Sequence, residues 1–377
     1  MTIVLDARWI NDEMSGIGRS TLGLLTGLAE IGPDQPIIAL GGRSDLIDEA
    51  VGGLSRAAWL EHVGFPISPT SLRSQWRLPR LLRSLGAALF HSPYVYAPLW
   101  RSGGMKIVIT VHDLIPERCS GGLAKSRKVQ FAPLWRTWCR LQYRRADAII
   151  TVSDFSRREL IEYADVAASS ITRIHNGVAL PPAGDDGRRF RERFGARGVI
   201  ISYIGRHDPY KNLDALVRAF GRLREMVGGE VTLVIAGRRD PRYPQAESAA
   251  RELHLNGQVI FTDYLDEATR QSLLRASTVF AFPSRYEGFG LPPLEAMAAG
   301  VPVVASNAAS LPEVLGDAAT LVPPDDTEAL ARAMATLILD ADARRAAIER
   351  GRERAARFTW RRCAQEYLAL YERVIGV

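Results

Sequence analysis

The chain has 377 residues, too many for one ordinary hydrophobic core and suited to two domains of somewhat under about 200 residues each. With 47% apolar residues it reads as a folded globular protein; no early apolar run has the basic start and cleavage site of a signal peptide, and none reaches the roughly 18 residues a membrane span needs, so a cytoplasmic location is expected. Formal charge is +6, and the basicity lies in the N-terminal half, where residues 1–181 hold 21 Lys and Arg against 16 Asp and Glu, a balance that favours anionic partners without choosing among them.

The apolar runs at 3–7 (IVLDA), 105–111 (MKIVITV) and 148–153 (AIITVS) are short, nearly continuous and rich in β-branched residues, as strands buried on both faces should be. Helical stretches such as 18–31 lie between them. Such alternation predicts a parallel, doubly wound α/β sheet. A glycine-rich loop, SGIGRST at 15–21, precedes the first helix, and TVHDLIPE sets His112 and Asp113 at the end of a buried strand. Two stretches, 71–86 and 124–146, are basic and amphipathic; either is suited to lie on an anionic membrane, or to a solvated helix surface with its aromatics packed inward. Pro79 and Pro133 are expected to interrupt them.

Pro181, Pro182, Gly184, Asp185, Asp186 and Gly187 form a breaker-rich joint, after which the pattern restarts with predicted strands at 199–205, 231–237, 259–265, 278–284 and 302–307. From 327 the chain reads as helical to its end, with a break near Phe358 and Thr359. The expected division is therefore 1–181, 182–358, and a terminal helix at 359–377, capped by Thr359 and packed on the first domain.

The stretch SRYEGFGLPPLEAMAAG, 284–300, predicts a strand end, a glycine turn and a helix start. Gly288 and Gly290 remove side chains, and Pro292 and Pro293 suit a first helical turn, where no N–H is needed. The N–H groups of Phe289, Gly290 and Leu291 would then face an anion at the positive end of the helix. If that anion is the diphosphate of a nucleotide sugar, Glu295 can accept ribose hydroxyls on one side and Glu287 sugar hydroxyls on the other. By composition alone, a solvated loop with a capping glutamate carries about equal weight.

Here the chain resembles the family 4 glycosyltransferases of GT-B fold, whose signature is two glutamates eight residues apart, as Glu287 and Glu295 are. The likeness runs through DARWINDEMSGIGRST, TVHDLIPE, TVSDFSRREL, HNGV, GRHDPYKN and the stretch at 284–300. It implies two Rossmann-like domains, a nucleotide-diphospho-sugar donor in the cleft and transfer with retention by front-face displacement, a β-phosphate oxygen taking the acceptor proton. Catalytic residues would be His112, which positions the donor sugar, Glu287, and Arg206 and Lys211, which clamp the diphosphate; Gly16, Gly18, Asp113, Phe289, Gly290, Leu291 and Glu295 would complete the donor site. No metal or other cofactor is required, since cations and a helix end can carry the leaving-group charge. Asp340 and Asp342 read as caps, not metal ligands.

The resemblance is to bacterial mannosyl- and rhamnosyltransferases of polysaccharide assembly, so GDP-mannose is the first choice of donor, with UDP-glucose and other UDP-sugars open. A glycan or lipid-linked glycan is the expected acceptor. The rivals are an epimerase of the same fold, for which the extra acid and base carboxylates are not found, and a non-catalytic sugar-binding module. Nucleic acid is disfavoured because no reader motif accompanies the charge. Cys119, Cys139 and Cys363 lack metal-ligand spacing and are expected as free thiols.

Overall fold

A computed structural model describes residues 1–101, 103–118, 130–179 and 184–376, the side chain of Glu117 excepted. Cys119, Lys125, Arg127, Lys128, Pro181 and Pro182 lie outside the described residues. The chain divides into two compact units, one of Met1–Leu114, Phe131–Gly177 and Phe358–Val377, the other of Ile115–Gln130 and Val178–Arg357. The helices that shape the sites are α1 (Gly16–Ile31), α2 (Leu72–Ser84), α3 (Ala132–Arg145), α4 (Leu213–Met226), α5 (Glu267–Ala276), α6 (Leu291–Ala298) and α7 (Trp360–Ile375).

In the first unit, β1 (Thr2–Asp6), β2 (Ile37–Leu40), β3 (Leu60–Val63), β4 (Ala87–Ser92), β5 (Lys106–Val111), β6 (Ala148–Thr151) and β7 (Ile171–Arg173) form one parallel sheet in the order β3-β2-β1-β4-β5-β6-β7. Right-handed crossovers put α2 (between β3 and β4) and α3 (between β5 and β6) on the same face, opposite α1. Leu78 and Leu82 of α2 accordingly share a core with Trp135, Cys139 and Tyr143 of α3.

Pro79 does not break its segment as the sequence suggested: α2 runs through it, because burying Leu78 and Leu82 outweighs one lost backbone bond. Pro133 does mark an interruption, since α3 begins only at Ala132, after a break at Phe131, with the proline in its first turn, where its missing N–H costs nothing. Inward packing of the aromatics is also only partly right: Trp135 is buried, but Trp76 and Phe131 are exposed. Cys139 and Cys363 are buried thiols.

On the other face α7 lies along α1. Thr359 caps α7 by accepting from the Arg362 amide at 3.2 Å. Gly23 and Gly27 give Trp360 room, since a side chain at Gly23 would strike its indole ring. Below them the buried His91 ring bonds the Tyr371 hydroxyl through Nδ1 at 2.7 Å and the Thr110 hydroxyl through Nε2 at 2.8 Å. Burial, with the nearby His112 adding to it, lowers the His91 pKa to about 3.

The second unit repeats the architecture with β8 (Val199–Ile204), β9 (Val231–Ala236), β10 (Val259–Thr262), β11 (Val279–Phe282), β12 (Val303–Ser306) and β13 (Thr320–Val322), all parallel in the order β10-β9-β8-β11-β12-β13. Asp340 caps the helix Ala341–Ala356, accepting from the amides of Asp342 and Ala343 at 3.0 and 2.9 Å. No helix of the described residues is long and apolar enough to cross a membrane.

Candidate functional site

A doubly wound sheet binds ligands where its winding reverses, at the carboxyl ends of the two strands that flank the reversal. In the second unit those strands are β8 and β11, and the loops that leave them, 205–212 and 283–290, carry Arg206, Lys211, Glu287, Phe289 and Gly290 of the residues singled out from the sequence. Backbone and side-chain bonds tie the loops together. The Arg285 amide donates to Tyr210 O at 2.7 Å, and Asn212, in a left-handed conformation at φ 60°, donates through Nδ2 to Pro283 O (3.2 Å) and Pro324 O (2.6 Å).

Between these loops Lys211 Nζ meets Glu287 Oε1 at 2.6 Å, both side chains nearly buried. The ammonium also lies over the rings of Tyr210 and Phe282, 5.1 and 5.4 Å from their centroids. Ser310 fixes the backbone under Glu287 by donating its hydroxyl to Glu287 O at 2.9 Å. Arg206 pairs through Nε with the buried Asp208 at 2.9 Å, yet keeps 67% of its side chain exposed, so its guanidinium retains donors for a second anion. Burial works against the Arg206 charge, but Asp208 outweighs it and the pKa is raised.

Gly290 has φ 94°, a backbone shape that L side chains rarely adopt, and a Cβ there would press on Leu311 at 2.7 Å. It caps α6, whose opening turn sets the N–H groups of Gly290 and Leu291 ahead of two prolines that have none. Phe289, just before, is buried. Glu295 points back from the first turns of α6 to Arg270 of α5, at 2.7 Å. Arg270 is itself buried and bonds Glu267 twice, at 2.5 and 2.9 Å. Burial disfavours its charge, but Glu295 and Glu267 together raise its pKa above the ordinary arginine value.

Arg270, Asp208, Asn212 and Ser310 were missed from the sequence. Asp208 and Asn212 stand inside GRHDPYKN and were legible as polar neighbours of the chosen cations. Arg270 offers no local signal, because it lies 25 positions before its partner on a different helix. One further group is notable: His207, 4% exposed, has no hydrogen-bond partner at either ring nitrogen and lies 4.0 Å from Glu247, and burial lowers its pKa.

The first unit holds the remaining candidates, also at the carboxyl edge of its sheet. His112 and Asp113 follow β5, and Gly16 and Gly18 open α1 in the loops after β1. His112 Nε2 lies 3.1 Å from Pro93 O; a carbonyl can only accept, so Nε2 carries the proton and Nδ1 keeps its lone pair. Burial lowers the His112 pKa to about 4, so the ring is neutral at physiological pH. Gly18 is accounted for by packing, since a side chain would run into Trp9 O; Gly16 faces open space. Asp6 and Arg8 of the DAR motif are buried against each other at 2.6 Å, and Arg8 also bonds Ser74 and Ile67 O, so this pair ties β1 to the start of α2. Among the described residues, no three of His, Cys, Asp and Glu cluster so as to hold a metal ion.

Comparison with known proteins supplies the chemistry that such an arrangement performs elsewhere. The family model for glycosyl transferases group 1 matches residues 186–354, and that for glycosyltransferase family 4 matches residues 14–180. The Escherichia coli O-antigen chain mannosyltransferase B is 29% identical over 391 residues, covering 99% of this chain and 100% of that protein. The Escherichia coli serotype-specific mannosyltransferase WbdA is 28% identical over 282 residues, 72% of this chain but 34% of its own length, so the chain spans about a third of that relative. The MMP alpha-(1->4)-mannosyltransferase of Mycolicibacterium hassiacum is 32% identical over 72% of this chain and 66% of its own. Among solved structures, a glycosyltransferase from Rickettsia africae superposes with a TM-score of 0.74 at 18% identity, covering 99% of this chain and 98% of that one. HepE of Anabaena, in complex with UDP and glucose, gives 0.73 at 20% identity, with 99% of each chain covered. Both halves of the sequence match, and the fold is shared end to end: the chain belongs to family 4 of the glycosyltransferases and has their GT-B fold.

Proposed function

We propose that the protein moves a hexose, with mannose from GDP-mannose as first choice, onto a hydroxyl of a glycan or lipid-linked glycan, with retention at the anomeric carbon. One observation carries the reading: Arg206, Lys211, Glu287 and Glu295 gather at the winding reversal of the second sheet, beside the N-terminus of α6. Arg206 and Lys211 grip the diphosphate together with the N–H groups of Gly290 and Leu291. Glu295 accepts the ribose hydroxyls. Glu287 holds sugar hydroxyls, and its contact with Lys211 keeps that carboxylate aimed. The relatives named as mannosyltransferases support the choice of sugar.

The acceptor oxygen forms a bond to the anomeric carbon on the face from which the phosphate leaves; the carbon–phosphate-oxygen bond breaks, and the acceptor proton passes to the departing phosphate. His112, neutral and fixed through Nε2, orients the donor sugar, with Asp113 beside it, and Gly16, with open space beside it, lets the loop backbone approach the donor. On this reading the charge on the leaving group is met by Arg206, Lys211 and the helix end, so the reaction needs no metal. A UDP-sugar donor is the second reading, favoured by the UDP-glucose complex of Anabaena HepE, which has the same fold.

Thermal-shift titration with GDP, UDP, ADP and their sugars, followed by NMR of the product, tests the proposal. GDP and GDP-mannose should raise Tm most, and the product should keep the donor's anomeric configuration. A response to UDP alone would move the assignment to the second reading. No response to any nucleotide removes the donor site altogether.

A further inference from the structure

Three elements of the first unit expose large apolar side chains beside a surplus of positive charge. Leu72 and Trp76 of α2 are 80% and 61% exposed, and Trp100, on the loop between β4 and β5, is 52% exposed. The two indoles stack on each other, centroids 5.1 Å apart at 28°, instead of on the core. Leu134 and Leu141 of α3 are exposed as well.

The three elements form one surface. Gln75 of α2 and Gln142 of α3 both donate to Ala97 O, at 3.4 and 3.2 Å, and accept from the amides of Leu99 and Ala97 respectively, at 2.9 and 3.1 Å. Both glutamines are buried, so the loop is pinned between the helices and presents Trp100 beside Trp76. Around this apolar centre α2 exposes Arg73, Arg77, Arg80 and Arg83, and α3 exposes Arg136, Arg140 and Arg144. Neither helix contains an acidic residue, and among the described residues no carboxylate pairs with these arginines.

We propose that this face docks the protein on the surface of a bilayer containing anionic phospholipid, with Trp76, Trp100 and Leu72 in the interface and the arginines on the headgroups. A nucleic acid or an acidic protein would satisfy the charge but leave the aliphatic side chains of α2 and α3 in water; a lipid surface takes both. Tryptophan and arginine are the side chains whose amphipathic bodies suit the headgroup layer. The docking is lateral, since no helix of the described residues can span. It also gives a lipid-linked acceptor, on the function proposed above, a reason to be found by this protein, and the docking is tested without donor.

The test is sedimentation of the full chain with vesicles of phosphatidylcholine alone or mixed with phosphatidylglycerol, alongside tryptophan quenching by brominated lipid. Binding is expected only with phosphatidylglycerol present, falling as salt rises, with quenched fluorescence. Trp76→Ser with Trp100→Ser should abolish the quenching. Each arginine in Arg73→Gln, Arg77→Gln and Arg80→Gln should cost roughly fivefold in vesicle affinity when removed. All these side chains are exposed, so unchanged Tm and an unchanged GDP response confirm intact variants. Absence of binding to anionic vesicles, equal binding by the variants, or binding to heparin or RNA in place of vesicles would each overturn the proposal, and none of them bears on the donor site.

Discussion

Glu287 and Lys211 are 2.6 Å apart with almost no water around them, so removing one strands the other in a poorly solvated place. Lys211→Met is therefore expected to lower Tm as well as transfer, by about 3 kcal/mol of stability, read by denaturant unfolding. The two glutamates should separate in kinetics. Glu287→Ala removes a group proposed to hold the reacting sugar and should mainly lower kcat, whereas Glu295→Ala removes the proposed ribose contact and should mainly raise the donor KM. Wild-type kinetics in both variants would show that the carboxylates are wrongly assigned. Arg270 extends the argument one residue outward, because it fixes the Glu295 carboxylate from a neighbouring helix. Arg270→Lys should keep the charge but lose the fork that meets two carboxylates, so its donor KM should lie between wild type and Arg270→Ala. The two glutamates were legible in the sequence because they share one turn; Arg270 was not, because it reaches Glu295 only through a long side chain from a different helix.

Helix α7 is attached to the first sheet by an apolar face and by one buried polar cluster around His91. His91 is neutral in the folded chain, with a pKa near 3, against about 6.5 when unfolded. Between those values the unfolded state binds more protons, so stability rises with pH across that window and falls as the solution is acidified below about 6.5. His112, with a pKa near 4, contributes in the same direction. Thermal scans from neutral pH down to 4 should show a falling Tm, and His91→Gln should flatten the slope. The same docking depends on Gly23: Gly23→Val should drive a side chain into the Trp360 ring and lower Tm by several degrees. That α7 is apolar and capped by Thr359 was readable from its pattern; that it meets α1 at two glycines was not, since nothing local marks those glycines as contact points.

At the scale of the whole chain, each unit winds its sheet the same way and gathers its chemistry at the carboxyl edge. A ligand that binds only the folded protein adds stability by mass action. GDP at about a hundred times its Kd should therefore add roughly 3 kcal/mol, seen as a rise in Tm that grows with ligand concentration. A Tm that stays flat across the titration would count against the donor site in the second unit.

The sequence by itself determined the parallel α/β class, the strands around 3–7, 105–111 and 199–205, and the glutamate turn at 284–300, because each rests on local periodicity or on a turn that only glycine and proline permit. Tertiary structure alone decided the partners: Lys211 on Glu287, Arg270 on Glu295, Trp76 on Trp100, Arg8 on Ser74 at the start of α2. Those pairings depend on which strand ends become neighbours and which helix faces are left bare. Both are set by sheet order and crossover hand, which join residues tens of positions apart and leave no mark on the local pattern.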